Sequence, residues 1–267
     1  MDEAFSTRID RARLAELNHR SDGLGLFRLA GHGAALLLTA CLLSRSLGTL
    51  WVVPATILHG AVLIFLFAPL HESIHRTAFK SRALNDIVAW VCGALILLPP
   101  EYFRFFHFAH HRHTQDLAND PELATPKPTT PGQWLLTVSG WLYWRAQVWG
   151  MLMHAAGRIS EPFLTAPRAA DRVVREARQM LLLYLVIAVA ALLFGSWAPL
   201  TYWVLPVLVG QPFLRVYLLA EHSLCPLVPD MLANSRTTAS NPIVRFFAWN
   251  MPYHAEHHAY PSVPFHA

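Results

Sequence analysis

Two pairs of long apolar runs divide the chain into similar halves. In the first pair, Leu29 to Leu43 and Leu50 to Leu70 are separated only by S-R-S-L-G-T, too short for anything but a tight hairpin. In the second, Met180 to Phe194 and Trp197 to Ala220 meet around G-S-W-A-P, which predicts another hairpin. A helix rises ~1.5 Å per residue and a hydrocarbon core is ~30 Å thick, so 50–70 is long enough to cross, whereas 29–43 is marginal and must borrow from its flanks. Ala83 to Leu98 is also apolar, but it is short, carries Asp86 near its start and ends in Pro99-Pro100. It is expected to dip into the interface or pack on the bundle, because a full crossing would put the polar stretches on its two sides on opposite faces of the membrane. Trp134 to His154 mixes aromatics with Arg145 and Gln147, a pattern suited to the interfacial plane. Between these segments lie the proline-rich loop N-D-P-E-L-A-T-P-K-P-T-T-P-G and, at the start, the charged stretch 1–28. In that stretch Ile9, Ala12, Leu14 and Leu17 give a weak helical stripe, which predicts a short surface helix.

Composition supports an integral membrane protein. Of 267 residues, 54% are hydrophobic and 14% charged, and the mean hydropathy is +0.33, outside the range of soluble globular domains. The net charge of +4 does not point to nucleic acid, since no basic run is interleaved with aromatics. With two hairpins of spans, Arg45 is the only one of 21 Lys and Arg residues in an outer loop, so both termini are expected in the cytoplasm. Residues 1–28 are too charged and too long for the start of a secretory signal, and no cleavage is expected. Cys41, Cys92 and Cys225 are odd in number and widely spaced, which implies neither a disulfide framework nor a CxxC metal site.

The candidate chemistry is carried by histidines. His71 and His75 stand four apart in H-E-S-I-H; His107, His110 and His111 follow in H-F-A-H-H; and His254, His257 and His258 repeat that spacing in H-A-E-H-H. Positions i, i+3 and i+4 share a helix face, so each cluster gathers neutral imidazole nitrogens suited to a borderline transition metal such as iron or zinc. A lone buried His is usually structural, but three clusters at ligand spacing favour metal. The first box continues the second span, which sets the metal just beyond the membrane face. His222 stands alone in E-H-S-L-C-P at the inner end of the last span, level with His71 and His75. His59 lies inside a span and is expected to hydrogen-bond within the bundle. Asn250, one helical turn before His254, is either a loop residue or one that orients a ligand or a water. The aromatics Tyr102, Phe103, Phe105, Phe106 and Phe108 either pack or wall an acyl tunnel, and the arginine-rich stretch 158–178 is either a topology signal or a dock for an acidic electron donor.

The order HxxxH, HxxHH, HxxHH, each box beside a long apolar segment, resembles the membrane fatty acid desaturase and hydroxylase superfamily from about Leu29 onward, and is most similar to its bacterial desaturase-type members. The resemblance implies one all-α membrane domain over 1–267, with four transmembrane helices in two hairpins, interfacial helices and a cytoplasmic histidine-rich cap. In this superfamily a lone His before the third box completes the ligands, which implies His71, His75, His107, His110, His111, His222, His254, His257 and His258 around a di-metal site. Nine imidazoles exceed what one ion takes, and oxidative C–H chemistry favours two non-haem irons, with O2 as co-substrate, over zinc. The implied substrate is a lipid acyl chain, and the implied location is a bacterial inner membrane with the site facing the cytoplasm. Desaturation and hydroxylation of a hydrocarbon, carotenoid or other lipid chain stay open alternatives. A histidine-rich transporter or sensor is a distant one, because its ligands would sit at the bilayer midplane. No nucleotide fingerprint or fused cytochrome domain is present, so electrons are expected from a separate ferredoxin, flavodoxin or cytochrome-type carrier. His113 stands where desaturases commonly carry an aromatic, which makes it a candidate to orient a ligand or to serve as a spare one. The superfamily usually continues past the third box, which leaves room for a natural tail beyond Ala267.

Overall fold

A computed structural model describes residues 9–164 and 166–267. Among these residues the chain is helical throughout, with a single isolated β-bridge between Thr237 and Tyr253. The short helix α1 (Arg11–Leu17) falls on the predicted N-terminal stripe. The first span, α2 (Asp22–Ser46), is longer than its apolar core, because Ser21 caps it by accepting from the Leu24 N–H and Asp22 sits favourably in its first turn. Polar residues at both ends therefore continue the helix past the bilayer instead of ending it.

The second span is α3 (Val52–Ile64) followed by α4 (Phe67–His75), which together run as one apolar stretch from Val52 to His75. Next come α5 (Arg82–Ile96) and α6 (Pro100–His113), set at 99° to each other across the two prolines. A 3-10 turn, Pro121–Ala124, leads to α7 (Pro131–Val138) and α8 (Trp141–Ala155). The second pair of spans is α9 (Pro167–Leu193) and, after a π turn at Leu200–Val204, α10 (Leu205–His222). Three short helices close the chain: α11 (Met231–Asn234), α12 (Pro242–Phe247) and α13 (His254–Ala259). Among the described residues four helices are long and apolar enough to cross a membrane, and they expose residues such as Leu37, Leu38, Leu182 and Leu185 on their outer faces. The protein is an integral membrane protein.

The arginine-rich stretch 158–178 runs into α9, where Arg168, Arg172, Arg175 and Arg178 stay exposed. Arg168 to Arg178 form the first turns of α9, so the apolar part from Met180 is only its second half. Arg172 pairs with Glu101 at 3.2 Å and Arg178 donates to the Ala155 carbonyl at 2.8 Å, tying α9 to α6 and α8.

Two features align the site. First, α3 and α10 cross at glycine on glycine: a Cβ on Gly60 would stand 2.2 Å from the Pro206 carbonyl oxygen, and one on Gly210 would stand 2.2 Å from the Gly60 oxygen. Only residues without a side chain permit this approach. Second, α5 ends inside the bundle, where its last carbonyls have no further turn to accept from. Leu97 turns into the left-handed region (φ 58°) and the Leu98 N–H closes onto Gly93 O at 2.8 Å, after which Pro99 and Pro100 forbid continuation. The carbonyls of Ala94, Leu95 and Leu97 accept instead from Tyr184 Oη (2.9 Å), Trp203 Nε1 (2.6 Å) and Gln147 Nε2 (2.9 Å). Irregular backbone inside a bundle is tolerated when partners of this kind are present. The bend then sends α6 across the ends of the spans toward His71.

Candidate metal centre

The clustered histidines meet in two groups drawn from different helices. His71, His75, His107, His111 and His257 form one, and His110, His222, His254 and His258 form the other; within each, one nitrogen per ring lies within 4.8 Å of all the others. Helix geometry explains the partition. Residues i and i+4 differ by ~40° around the axis, whereas i+3 and i+4 differ by ~100°. Accordingly His107 and His111 of α6 go to the first group and His110 to the second, while His254 and His258 of α13 go to the second and His257 to the first. In α4 both His71 and His75 face the first group, and His222 enters the second from the end of α10.

The inward nitrogens suit cations and not mutual hydrogen bonding. His107 Nε2 lies 2.8 Å from His71 Nε2 and 2.9 Å from His111 Nε2. His222 Nε2 lies 3.1 Å from His110 Nε2 and 2.9 Å from His254 Nε2. Each central nitrogen has one proton or one lone pair, so it cannot serve both close neighbours as hydrogen-bond partner. Lone pairs converging on a shared ion resolve the conflict. Nε2 of His75, His257 and His258 are buried with no hydrogen-bond partner, as ligands awaiting a metal would be. Burial pushes the His257 imidazole down to about 3 and those of His254 and His258 well below their ordinary value, so these rings are neutral and their lone pairs available. The donor set therefore fits two borderline transition ions.

The two groups are held differently from behind. In the second group every Nδ1 faces an oxygen. Asp120 Oδ1 takes His110 Nδ1 at 2.9 Å, and the Asn234 carbonyl takes His222 Nδ1 at 3.2 Å. Thr114 donates its own proton to His110 O at 2.8 Å, so its oxygen accepts from His258 Nδ1 at 3.1 Å. Glu221 Oε1 lies 3.5 Å from His254 Nδ1. The first three of these acceptors hold the proton on Nδ1 and aim Nε2 inward, whereas Glu221 Oε1 and His254 Nδ1 approach without a hydrogen bond. Burial alone raises the Asp120 pKa, but the hydrogen bond and charge of His110 outweigh it and keep the carboxylate below its ordinary value. In the first group, His71 Nδ1 and His111 Nδ1 are buried without a partner.

The other histidines stay outside both groups. His59 meets Thr39 Oγ1 (2.8 Å) and Tyr202 O (3.1 Å) inside the bundle, His32 meets Val62 O (2.9 Å), and His154 meets Glu161 Oε1 (2.8 Å). His113 faces Asp116, with Nδ1 3.9 Å from its carboxylate. Asn250 takes the left-handed conformation (φ 61°) and gives its amide to Phe265 O at 2.8 Å, so it pins the chain end. Sequence reading missed Asp120, Thr114, Asn234 and Glu221. Two of these adjoin a ligand candidate in the chain, Thr114 beyond His113 and Glu221 beside His222, but only the fold brings Asp120 and Asn234 to the site.

Comparison with known proteins agrees with this geometry. A sphingolipid delta(4)-desaturase of Drosophila melanogaster is 25% identical over 246 residues, covering 88% of this chain and 70% of that protein. An sn-1 oleoyl-lipid 12-desaturase of Synechocystis sp. is 24% identical over 185 residues, covering 65% of this chain and 49% of that one, so the chain spans about half the length of this relative. A beta-carotene 4-ketolase of Haematococcus lacustris is 27% identical over 126 residues, covering 45% and 39%. The model of the fatty acid desaturase family matches residues 26–267, nearly the whole chain, and with this the chain belongs to the fatty acid desaturase family.

Proposed function

We propose that the chain is an oxygen-dependent di-iron oxidoreductase that inserts a double bond into a lipid acyl chain. The observation that carries this reading is the convergence of nine imidazoles into two facing groups at the ends of the spans. Bound iron would supply the change of redox state that O2 reduction and attack on an unactivated C–H bond require. His71, His75, His107, His111 and His257 would hold one ion, and His110, His222, His254 and His258 the other. Reduction of O2 to two waters takes two hydrogen atoms from the two C–H bonds broken as the double bond forms, two electrons from a donor and two protons from the medium, so a separate ferredoxin, flavodoxin or cytochrome-type carrier is part of the reading.

The chain's own residues do the positioning. Asp120, Asn234 and Thr114 fix ring orientation, and the buried rings of Phe67 and Phe103 cover His71 and His107 from the bundle side and keep bulk water away. A lipid chain entering from the membrane meets this apolar wall before the nitrogens. Arg45, in the last turn of α2, is the one cation at that end of the spans among the described residues, which supports a site facing the cytoplasm and, in a bacterial cell, placement in the inner membrane.

The likeness to a carotenoid ketolase favours, as second reading, an oxygenase of a hydrocarbon, carotenoid or other lipid chain. A metal transporter fits less well, since the nitrogens gather at span ends and not at mid-depth. Mass-spectrometric profiling of lipids and hydrocarbons in cells with and without the protein decides: a new double bond supports the first reading, a new alcohol or ketone replaces it by the second, and no change in either overturns both.

A further inference from the structure

The two groups are unequal: the first has five imidazoles and the second four. Beside the second stands a carboxylate that forms no ion pair with a Lys or Arg among the described residues. Glu122 Oε2 lies 3.8 Å from His110 Nε2, the nitrogen that faces the proposed ion. Two donor atoms each ~2.1 Å from one ion lie between ~3.0 Å apart when adjacent and ~4.2 Å when opposite. The observed separation falls inside that range. No Lys or Arg nitrogen stands within 4.0 Å of this carboxylate among the described residues. The nearby Lys127 directs its Nζ to His222 O at 3.0 Å and to Gln115 Oε1 at 3.4 Å.

The backbone is built to hold Glu122 there. Asp120 Oδ1, which takes His110 Nδ1, also accepts the Glu122 N–H at 3.0 Å, while Oδ2 accepts the Gln115 N–H at 2.8 Å. One carboxylate thus gears the 3-10 turn that carries Glu122 to the ring that Glu122 approaches. The Glu122 side chain is 40% exposed, so it can turn toward the ion without disturbing the core. On the inner side His258 Nε2, in a residue 4% exposed, has no partner.

We propose that Glu122 is an oxygen ligand of the second group, which makes that site four nitrogens and one carboxylate against five nitrogens in the first. This rests on the two-ion reading above. The consequence is an asymmetric pair: the carboxylate lowers the net charge of the second ion, and no carboxylate is hydrogen-bonded to any histidine of the first group among the described residues. Iron in the two positions would therefore differ in ligand field and in retention.

The test uses the full-length protein in detergent or nanodiscs, stripped of metal, reloaded with 57Fe(II) and measured by Mössbauer spectroscopy and by iron content after challenge with a chelator. The wild type is expected to keep two equivalents in two distinct ferrous environments. Glu122→Ala and Glu122→Gln are expected to change one environment only and to release that ion about 10–100-fold more readily. Glu122→His is expected to restore retention with a nitrogen-type spectrum. Two equivalents with unchanged spectra and retention in both Glu122→Ala and Glu122→Gln would overturn the assignment while leaving the two-ion site standing. If Glu122→Ala sheds both ions, Glu122→His decides, because loss of both there also overturns the proposal. Fewer than two equivalents in the wild type would instead overturn the two-ion reading, and the fifth ligand with it.

Discussion

Replacing Gly60 by alanine perturbs the site without touching it. The new Cβ would stand 2.2 Å from Pro206 O and 3.1 Å from the Gly210 nitrogen, whereas ordinary contact begins at 3.4 Å. Both obstacles are backbone, so α3 and α10 must separate by about 1.2 Å. His71 comes eleven residues after Gly60, ~16 Å along α3 and α4, and His222 comes twelve residues after Gly210 on α10. The crossing is thus the fulcrum for ligand candidates of both groups. Metal sites tolerate deviations of only ~0.2 Å in ligand distance, and a misplacement of ~1 Å can cost ~100-fold in rate. Gly60→Ala is expected to lose at least half its iron, to fall ~100-fold in product formation and to lose ~1–3 kcal/mol of stability from overpacking. Gly33→Ala is the control, since a Cβ there meets nothing within 4 Å and should be neutral or slightly stabilising. The assay is elemental analysis and the thermal midpoint of both variants in the same detergent. A Gly60→Ala protein with full iron and an unchanged midpoint would show that the glycine crossing does not set the ligand geometry.

Other expectations follow from single contacts. His222→Ala should lose about one equivalent of iron together with activity, whereas His59→Ala, His113→Ala and His154→Ala should keep most of the metal; iron content against expression level separates them. Asp120→Asn removes the charge behind His110 and should weaken iron binding ~10–100-fold in a chelator competition. Trp203→Phe leaves the Leu95 carbonyl without its donor inside the bundle and should cost ~1–3 kcal/mol, read as a lowered thermal midpoint with metal content unchanged. In a background without Cys41, Cys92 and Cys225, a cysteine at the exposed Leu50 should react with an impermeant reagent from outside and one at the exposed Leu117 should not; the reverse pattern refutes the proposed orientation.

Spans were legible because hydropathy reports which residues must avoid water, but their ends were not, because a helix is closed by caps. Asp22 to Arg28 read as a polar leader, yet Ser21 caps that stretch into α2. Arg168 to Arg178 read as a basic surface and are exposed, but they also form the first turns of α9, with Arg172 on Glu101 and Arg178 on the Ala155 carbonyl. The bend after α5 was marked by Pro99-Pro100, while the donors that make it tolerable, Tyr184, Trp203 and Gln147, lie on three other helices with no local signature.

The histidine boxes show the same limit at finer scale. Spacing predicts that i, i+3 and i+4 share a face, and all three do point into the cap. A shared face about 100° wide is nevertheless broad enough to serve two positions, and the 3,4 offset then becomes a device for dividing one helix between them. His110 and His257 each join the group that their two box-mates do not. Two boxes divided in opposite senses, two imidazoles to one position and one to the other, interlock α6 with α13, so neither group can form unless both helices are docked. Because α13 belongs to the last segment and is held by short contacts, among them Thr237 with Glu256, filling both positions should order that segment. Hydrogen exchange at 231–259 is therefore expected to slow on iron loading far more than at the buried core of α3. Equal protection in stripped and loaded protein would mean that the fold, without metal, already holds the two halves of the centre together.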